Sequence, residues 1–120
     1  MRKQETKKQE FNLQEAFALW RNESKGKSEY FKGLDLNKNK LIGFKVLKKK
    51  NEKEPDYRIY DLDAKGNINK EVASLWINKD KNDKNYLTGT TTDKEKLVGF
   101  FGDEHQEARP YIRAYFKDNE

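Results

Sequence analysis

Short apolar and aromatic segments alternate with clusters of Lys, Asn, Gly and Asp along most of the chain. The segments have the length of β-strands, and the turn residues recur about every 8 to 12 residues, a spacing typical of an all-β meander or sandwich. The pattern predicts eight strands, at 15–22, 29–36, 40–47, 56–62, 71–78, 84–91, 95–101 and 110–117. Residues 1–13, rich in Lys, Gln and Glu, are expected to form a flexible charged arm.

The chain also matches itself at a constant offset of 56 residues, which becomes 55 after a charged loop. The matches are Leu19-Trp20 with Leu75-Trp76, Asn22 with Asn78, Tyr30 with Tyr86, Gly33 with Gly89, Gly43-Phe44 with Gly99-Phe100, Pro55 with Pro110, Arg58 with Arg113, and Tyr60 with Tyr115. This predicts an internal duplication, with a first β repeat at 14–62, a linker at 63–69 and a second β repeat at 70–120. We expect two tandem four-stranded antiparallel meanders, packed as one pseudo-two-fold sandwich or barrel-like domain.

Two-residue hairpin turns at Gly26-Lys27 and Asn82-Asp83, followed by turns centred on Lys38 and Lys94, would fix the strand register. The expected opposed pairs are Trp20 with Gly33, Gly33 with Gly43, Trp76 with Gly89, and Gly89 with Gly99. In this register the tryptophans are interpreted as core residues packed over glycine. The alternative is that they are stacking platforms for bases. The same interpretation covers the residues expected on the same faces, Tyr30, Tyr86, Phe44 and Phe100.

Composition and charge exclude some classes of function and favour others. The chain has 39% charged residues and no cysteine, which excludes disulfides and thiol chemistry. No apolar run is long enough for a transmembrane helix, and residues 1–10 are too charged for a secretory signal, so a cytoplasmic protein is expected. Residues 1–56 carry 15 Lys and Arg against 9 Asp and Glu, a net +6, whereas residues 57–120 carry −1. Such a basic surplus favours polyanionic partners, nucleic acid above all.

The basic surplus includes a lysine-rich loop, whose members are Lys45, Lys48, Lys49, Lys50 and Lys53. Lysines in such a run can bind a phosphate backbone, and an ordinary solvated loop is the alternative. The corresponding stretch of the second repeat, 101–107, is acidic. The two repeats have therefore diverged in charge at this loop.

Arg58 and Tyr60 follow this loop in the fourth predicted strand. An arginine alternating with aromatic residues can contact bases or phosphates, because guanidinium and phenol planes both stack on bases. Cross-strand packing with a salt bridge is the alternative.

Catalytic signals are weak. His105 is the only histidine, and with Asp103, Glu104 and Glu107 it offers at most a poor metal site in a surface loop. The run that begins at Asp35 lacks the glycine and the final acidic residue of a calcium loop. We therefore predict a non-enzymatic protein without a cofactor or a metal.

Three segments carry a family resemblance: Tyr30-Phe31-Lys32-Gly33-Leu34-Asp35-Leu36, Pro55-Asp56-Tyr57-Arg58-Ile59-Tyr60, and Trp76 with Tyr86-Leu87. In this order they resemble the uncharacterised bacterial family known as domain of unknown function 736. Its members are small proteins often carried on plasmids, prophages and other mobile elements, and they have no assigned activity. The resemblance therefore implies a mobile-element context and no chemistry.

Two functions remain open. The first is a nucleic-acid-binding protein, with the five lysines of the loop on phosphates and with Arg58 and Tyr60 assisting. The second is a protein-binding module, such as a phage- or plasmid-borne inhibitor of a host nuclease or defence factor. Neither hypothesis involves a membrane.

Overall fold

A computed structural model describes residues 14–26, 28–102 and 108–117. These residues form eight β-strands and no helix: β1 Glu15–Glu23, β2 Glu29–Asp35, β3 Lys40–Lys45, β4 Tyr57–Leu62, β5 Ile68–Lys79, β6 Asn85–Thr91, β7 Lys96–Phe101 and β8 Ile112–Phe116. The prediction of an all-β protein with eight strands is confirmed. The predicted arm at 1–13, Lys27 and the acidic stretch 103–107 lie outside the described residues. A helix able to span a lipid bilayer is not found in the described part of the chain.

The eight strands close into one barrel. Each strand pairs antiparallel with the next in sequence, and β8 pairs with β1. Of the two architectures that the sequence left open, the structure has the barrel. The segment 63–69, predicted as a linker, forms the β4–β5 hairpin turn and the start of β5. Closure leaves no unpaired edge among the eight described strands, which removes the usual site of edge-to-edge association.

Four of the hairpin turns share one five-residue conformation, which begins at Asp35, Asp63, Asp80 or Thr91. In each, a side-chain oxygen of the first residue accepts hydrogen bonds from the N–H groups of the third and fifth residues. The fourth residue has a positive φ, between 66° and 85°. This is the three-residue hairpin loop that ends in a left-handed residue. The side chain of the first residue thus encodes the turn locally.

The observed turns correct the predicted register. Ser24 bonds with Ser28 and Asp80 with Lys84, so three residues separate the strand ends where two were expected. Leu19 lies opposite Gly33 and Trp20 opposite Lys32. The matching strands behave in the same way, with Leu75 opposite Gly89. The predicted placement of each tryptophan over glycine is therefore wrong by one residue.

The predicted glycine pairs are wrong by two residues. Gly33 lies opposite Leu41, and Gly43 opposite Phe31. In the second half of the chain the corresponding pairs are Gly89 with Leu97 and Leu87 with Gly99. The five-residue turns at Asp35 and Thr91 set these pairs too.

Aliphatic side chains together with Phe31, rather than the tryptophans, fill most of the barrel. The most deeply buried side chains are Leu19, Phe31, Ile59, Leu75, Leu87, Leu97 and Ile112. Side chains alternate between the inside and the outside of a barrel, so Trp20 and Trp76 lie on the outer surface, half-buried. The outer surface also holds the other aromatic residues that were expected beside them, Tyr30, Tyr86, Phe44 and Phe100. Their interpretation as core residues is wrong, because the observed register places their side chains on the outward face of each strand.

The two ends of the barrel differ. We call the end with the β3–β4 and β7–β8 connections the loop end; there Phe31, Tyr57, Phe101 and Tyr111 form an aromatic cluster with ring centroids 5.5 to 6.3 Å apart. We call the opposite end, with the turns at 35–39, 63–67 and 91–95, the mouth. The mouth contains a cavity of about 570 Å³.

The aromatic cluster makes folding sensitive to alkaline pH. Burial raises the pKa of the Tyr57 hydroxyl well above its usual range, and the nearby Tyr111 adds to this rise. Above pH of about 10, the unfolded chain loses this proton while the folded protein keeps it, so stability falls as pH rises. Between pH 8 and pH 11, the free energy of unfolding should fall by about 1 kcal/mol less in Tyr57→Phe than in the wild type. Chemical denaturation at the two pH values measures this difference. Tyr86→Phe, which removes an outer hydroxyl, is the control; an equal effect in both variants would contradict the assignment.

Candidate nucleic-acid interface

The lysine-rich loop connects β3 to β4 and is tied to the barrel at both ends. The Val46 N–H donates to the Asp56 carbonyl at 2.8 Å, and the Asp56 N–H donates to the Leu75 carbonyl at 2.8 Å. Pro55, near the end of the loop, is buried. These contacts extend the pairing of β3, β4 and β5 beyond the strands themselves.

The middle of the loop is also fixed. The Asn51 side chain accepts a hydrogen bond from the Lys53 N–H at 2.8 Å, which closes an Asx turn. The Glu54 carboxylate accepts one from the Lys50 N–H at 3.0 Å. The Trp76 indole N–H then donates to the Lys53 carbonyl at 2.9 Å. The loop therefore lies against the outer surface of the barrel with Trp76 beneath it.

Asp56 anchors the loop from below and neutralises one of its lysines. One carboxylate oxygen accepts the Ile77 N–H at 2.8 Å, and the other accepts Lys49 Nζ at 3.2 Å. This ion pair is largely shielded from solvent. Lys49 is therefore a structural residue of the loop.

The remaining lysines of the loop are available to a ligand. Lys45 lies at the end of β3, and Lys48, Lys50 and Lys53 lie in the loop; all four are exposed. Within the described residues, no carboxylate lies within ion-pair distance of their ammonium groups. Of the five lysines predicted to contact phosphates, four are therefore exposed, and Lys49 is held in an ion pair with Asp56.

Arg58 and Tyr60 lie on the outer surface of β4, and both have partners within the protein. Arg58 Nη1 contacts both carboxylate oxygens of Glu71, at 3.1 and 3.3 Å, and the Ser74 hydroxyl donates to the same carboxylate at 2.8 Å. Tyr60 packs edge-on against Phe44 with ring centroids 6.1 Å apart. For these two residues the geometry favours the packing alternative.

The matching outer surface of β7 and β8 differs. Phe100 is 47% exposed and packs against Tyr115 with ring centroids 6.1 Å apart. Arg113 lies between Phe100 and Ala18 on the neighbouring strands and is exposed, with no carboxylate partner among the described residues. Ala18 stands 56 positions before Ser74, whose hydroxyl holds Glu71 in the other half. The matching position of the first half therefore has no hydroxyl group to hold a carboxylate beside Arg113.

The described residues offer little for metal chemistry. Among them, no three histidine or acidic side chains converge in a way that could hold a metal ion. His105 and its acidic neighbours, considered above as a poor metal site, lie outside the described residues.

Comparisons of the chain with protein-family models, with curated proteins and with solved structures find no match. The resemblance to domain of unknown function 736 therefore stays a prediction that rests on the three segments named in the sequence.

Proposed function

We propose that the protein binds nucleic acid without catalysing a reaction, and that the β3–β4 loop is the main contact. The observation that carries this proposal is the display of Lys48, Lys50 and Lys53 on a loop that hydrogen bonds fix in place. Ammonium groups without internal partners bind phosphates without first breaking an ion pair, and a fixed loop loses little conformational entropy on binding. Lys45 at the end of β3 extends the same basic surface.

We infer that the binding has little sequence preference. Lysines on a loop bind backbone phosphates, which carry no sequence information directly. An outer aromatic surface can add base stacking, which is also tolerant of sequence. The exposed Phe100 with Arg113 is better suited to this than Tyr60 with Arg58, because Glu71 occupies the Arg58 guanidinium. Single-stranded nucleic acid, whose bases are accessible, is the favoured ligand.

The two halves of the barrel are, in this proposal, diverged copies of one four-stranded meander. Two reciprocal hydrogen bonds support the duplication: Trp20 donates to the Ala108 carbonyl at 3.2 Å, and Trp76 donates to the Lys53 carbonyl at 2.9 Å. The tryptophans are 56 residues apart, and the accepting residues are 55 apart, as in the sequence matches. Each half thus provides the tryptophan that supports the long loop of the other half. Only the first copy's loop is rich in lysine, so we infer one phosphate-binding loop per molecule.

The test is fluorescence anisotropy of labelled single-stranded and duplex oligonucleotides, titrated with the full chain at about 50 and 200 mM salt. Binding at micromolar concentration or tighter, weakened by orders of magnitude over this interval, is the expected result for several phosphate contacts. A binding constant that does not change with salt, or no binding at either concentration, would reject the proposal.

A protein-binding module is the second candidate, and the exposed surface of Phe100, Tyr115 and Arg113 favours it. Aromatic residues and arginine are enriched among the residues that dominate protein interfaces. With the mobile-element context that the family resemblance implies, an inhibitor of a host nuclease or defence factor fits such a surface. Failure of oligonucleotide binding, together with stoichiometric capture of one host protein that Phe100→Ala abolishes, would establish this alternative.

A further inference from the structure

The mouth of the barrel holds a cavity that the proposed nucleic-acid interface does not use. Its volume of about 570 Å³ lies within the range of roughly 300 to 1,000 Å³ that is typical of small-molecule sites. Its walls come from the starts of β1 and β5, the ends of β4 and β8, and the turns at 35–39 and 91–95. Because the lysine-rich loop is at the opposite end of the barrel, the cavity is a separate feature.

The cavity exists because small side chains stand where the barrel opens. Ala16 and Ala73 line it, whereas Phe17 and Leu41 close its floor above the filled interior. At the loop end, by contrast, the aromatic cluster fills the corresponding space. An eight-stranded barrel has room for one small ligand where side chains do not fill it.

The cavity wall has an apolar side. Following the strands around the barrel, β8, β1 and the 35–39 turn contribute Phe116, Ala16, Phe17 and Leu36. Leu36 is 47% exposed at the rim, although it is a large aliphatic residue. This side can cover the hydrocarbon part of a ligand.

The other side of the wall, from β4, β5 and the 91–95 turn, combines the apolar Leu62 and Val72 with acidic side chains. Asp61 from β4, and Asp93 and Glu95 from the 91–95 turn, line it. Within the described residues, the carboxylates of Asp93 and Glu95 have no hydrogen-bond or ion-pair partner, and Asp61 accepts only the Lys70 N–H, at 3.1 Å. Asp35 differs, because its carboxylate already accepts hydrogen bonds from Asn37 and Asn39 in the same turn. Among the lining residues that the structure describes, Lys70 is the one basic residue.

We propose that the mouth binds a small organic cation with an apolar body, such as an alkyl or aralkyl amine. The ammonium group would lie beside Asp93 and Glu95, and the hydrocarbon would lie against Phe17, Leu36 and Phe116. An anion of the same shape would face these carboxylates and bind more weakly. The exposed carboxylates and the apolar floor together set this preference for an amphipathic cation.

The test compares octylammonium, octanol and octanoate, which share one hydrocarbon tail and differ in charge. Each is titrated into the full chain, with affinity from calorimetry and location from amide shifts in two-dimensional NMR spectra. Octylammonium is expected to bind at least about fivefold more tightly than octanoate, the size expected for one or two partly exposed ion pairs. The shifts should concentrate at residues 16–17, 36–37 and 91–95.

Two variants test the contributions of the carboxylates and of the apolar side of the cavity separately. The double substitution Asp93→Asn with Glu95→Gln should lower the affinity for octylammonium to that for octanol. Leu36→Ala should weaken all three probes alike. The matched control is Glu23→Gln with Glu52→Gln, which removes two exposed carboxylates at the loop end and should leave all affinities unchanged.

Three outcomes would overturn the proposal. They are no binding of octylammonium up to its solubility limit, octanoate binding as tightly as octylammonium, and shifts centred outside the mouth. Dispersed spectra of each variant show that it is folded, so a loss of binding is not a loss of structure.

Discussion

Replacing Gly33 with alanine is expected to destabilise the barrel by about 3 kcal/mol or more. A Cβ atom at this position would lie 1.8 Å from the Ala18 carbonyl oxygen, which belongs to the backbone of the neighbouring strand. No side-chain rotation relieves this contact, so β1 and β2 would have to separate. Gly89→Ala should behave similarly, because its Cβ would lie 2.2 Å from the Ser74 carbonyl oxygen. Chemical denaturation followed by tryptophan fluorescence measures both changes.

The glycines also offer a graded series of controls. A Cβ on Gly99 would lie 3.2 Å from its nearest atoms, and one on Gly26 would meet nothing nearer than 4.0 Å. We expect a loss of about 1 kcal/mol for Gly99→Ala, and a change within about 0.5 kcal/mol for Gly26→Ala. Equal stabilities of the Gly33 and Gly26 variants would show that close strand approach does not constrain the barrel.

Reversing the charge of the three displayed loop lysines is expected to abolish most nucleic-acid binding. With Lys48, Lys50 and Lys53 all changed to Glu, the affinity for single-stranded oligonucleotide should fall about a hundredfold at low salt, because phosphate contacts become repulsions. The magnitude of the slope of log affinity against log salt should decrease by about 2, roughly 0.7 for each lost contact. The salt titrations of the wild type and the variant, made on the same oligonucleotides, measure both quantities.

The control for this variant changes the same net charge elsewhere. Lys40, Lys65 and Lys96 are exposed and lie toward the mouth, so their joint change to Glu should leave the salt slope unaltered. A finer comparison uses neighbouring lysines: Lys48→Gln should lower the slope, whereas Lys49→Gln should not, since Asp56 already holds Lys49. An equal loss of affinity in the loop and mouth triple variants would mean that net charge, and not the loop, drives binding.

The number and order of the strands could be predicted from the sequence, because apolar segments and turn residues are local signals. The register could not, since it depends on the length of each turn. The Asp80-to-Lys84 turn illustrates this: Asn82-Asp83 suits a two-residue turn, but the Asp80 carboxylate captures two N–H groups and makes the turn longer. A hydrogen-bonding side chain two positions upstream therefore outweighed the propensity of the central pair.

The sequence pattern also could not show which side chains of each strand point into the barrel and which point outward. Leu41 and Ile42 are both apolar, yet only Leu41 lies in the barrel core. Large aromatic side chains suggest burial by their size, whereas closure of the sheet leaves an interior too narrow for the tryptophans. Closure itself follows from the pairing of β1 with β8, for which the local sequence gives no sign.

Within the candidate site, the displayed lysines were predictable and the neutralised cations were not. The partner of Arg58 is Glu71, 13 residues away on the adjacent strand, and the partner of Lys49 is Asp56 across the loop. Both pairings depend on the register and on how the loop folds back. The charge of a sequence segment therefore predicts a basic region, but only the fold shows which charges remain available.

The locally encoded turns have a consequence for how the chain folds. Seven of the eight strand pairings join neighbours in sequence, and most of these hairpins have a turn that its own side chain stabilises. Hairpins of this kind form within microseconds, whereas bringing β1 to β8 must close a loop of nearly the whole described chain. We therefore expect the pairing of the first and last strands to be the rate-limiting step of folding. Substitutions that weaken the pairing of β1 with β8 would slow folding. Substitutions in the individual turns would mainly change the population of early hairpins.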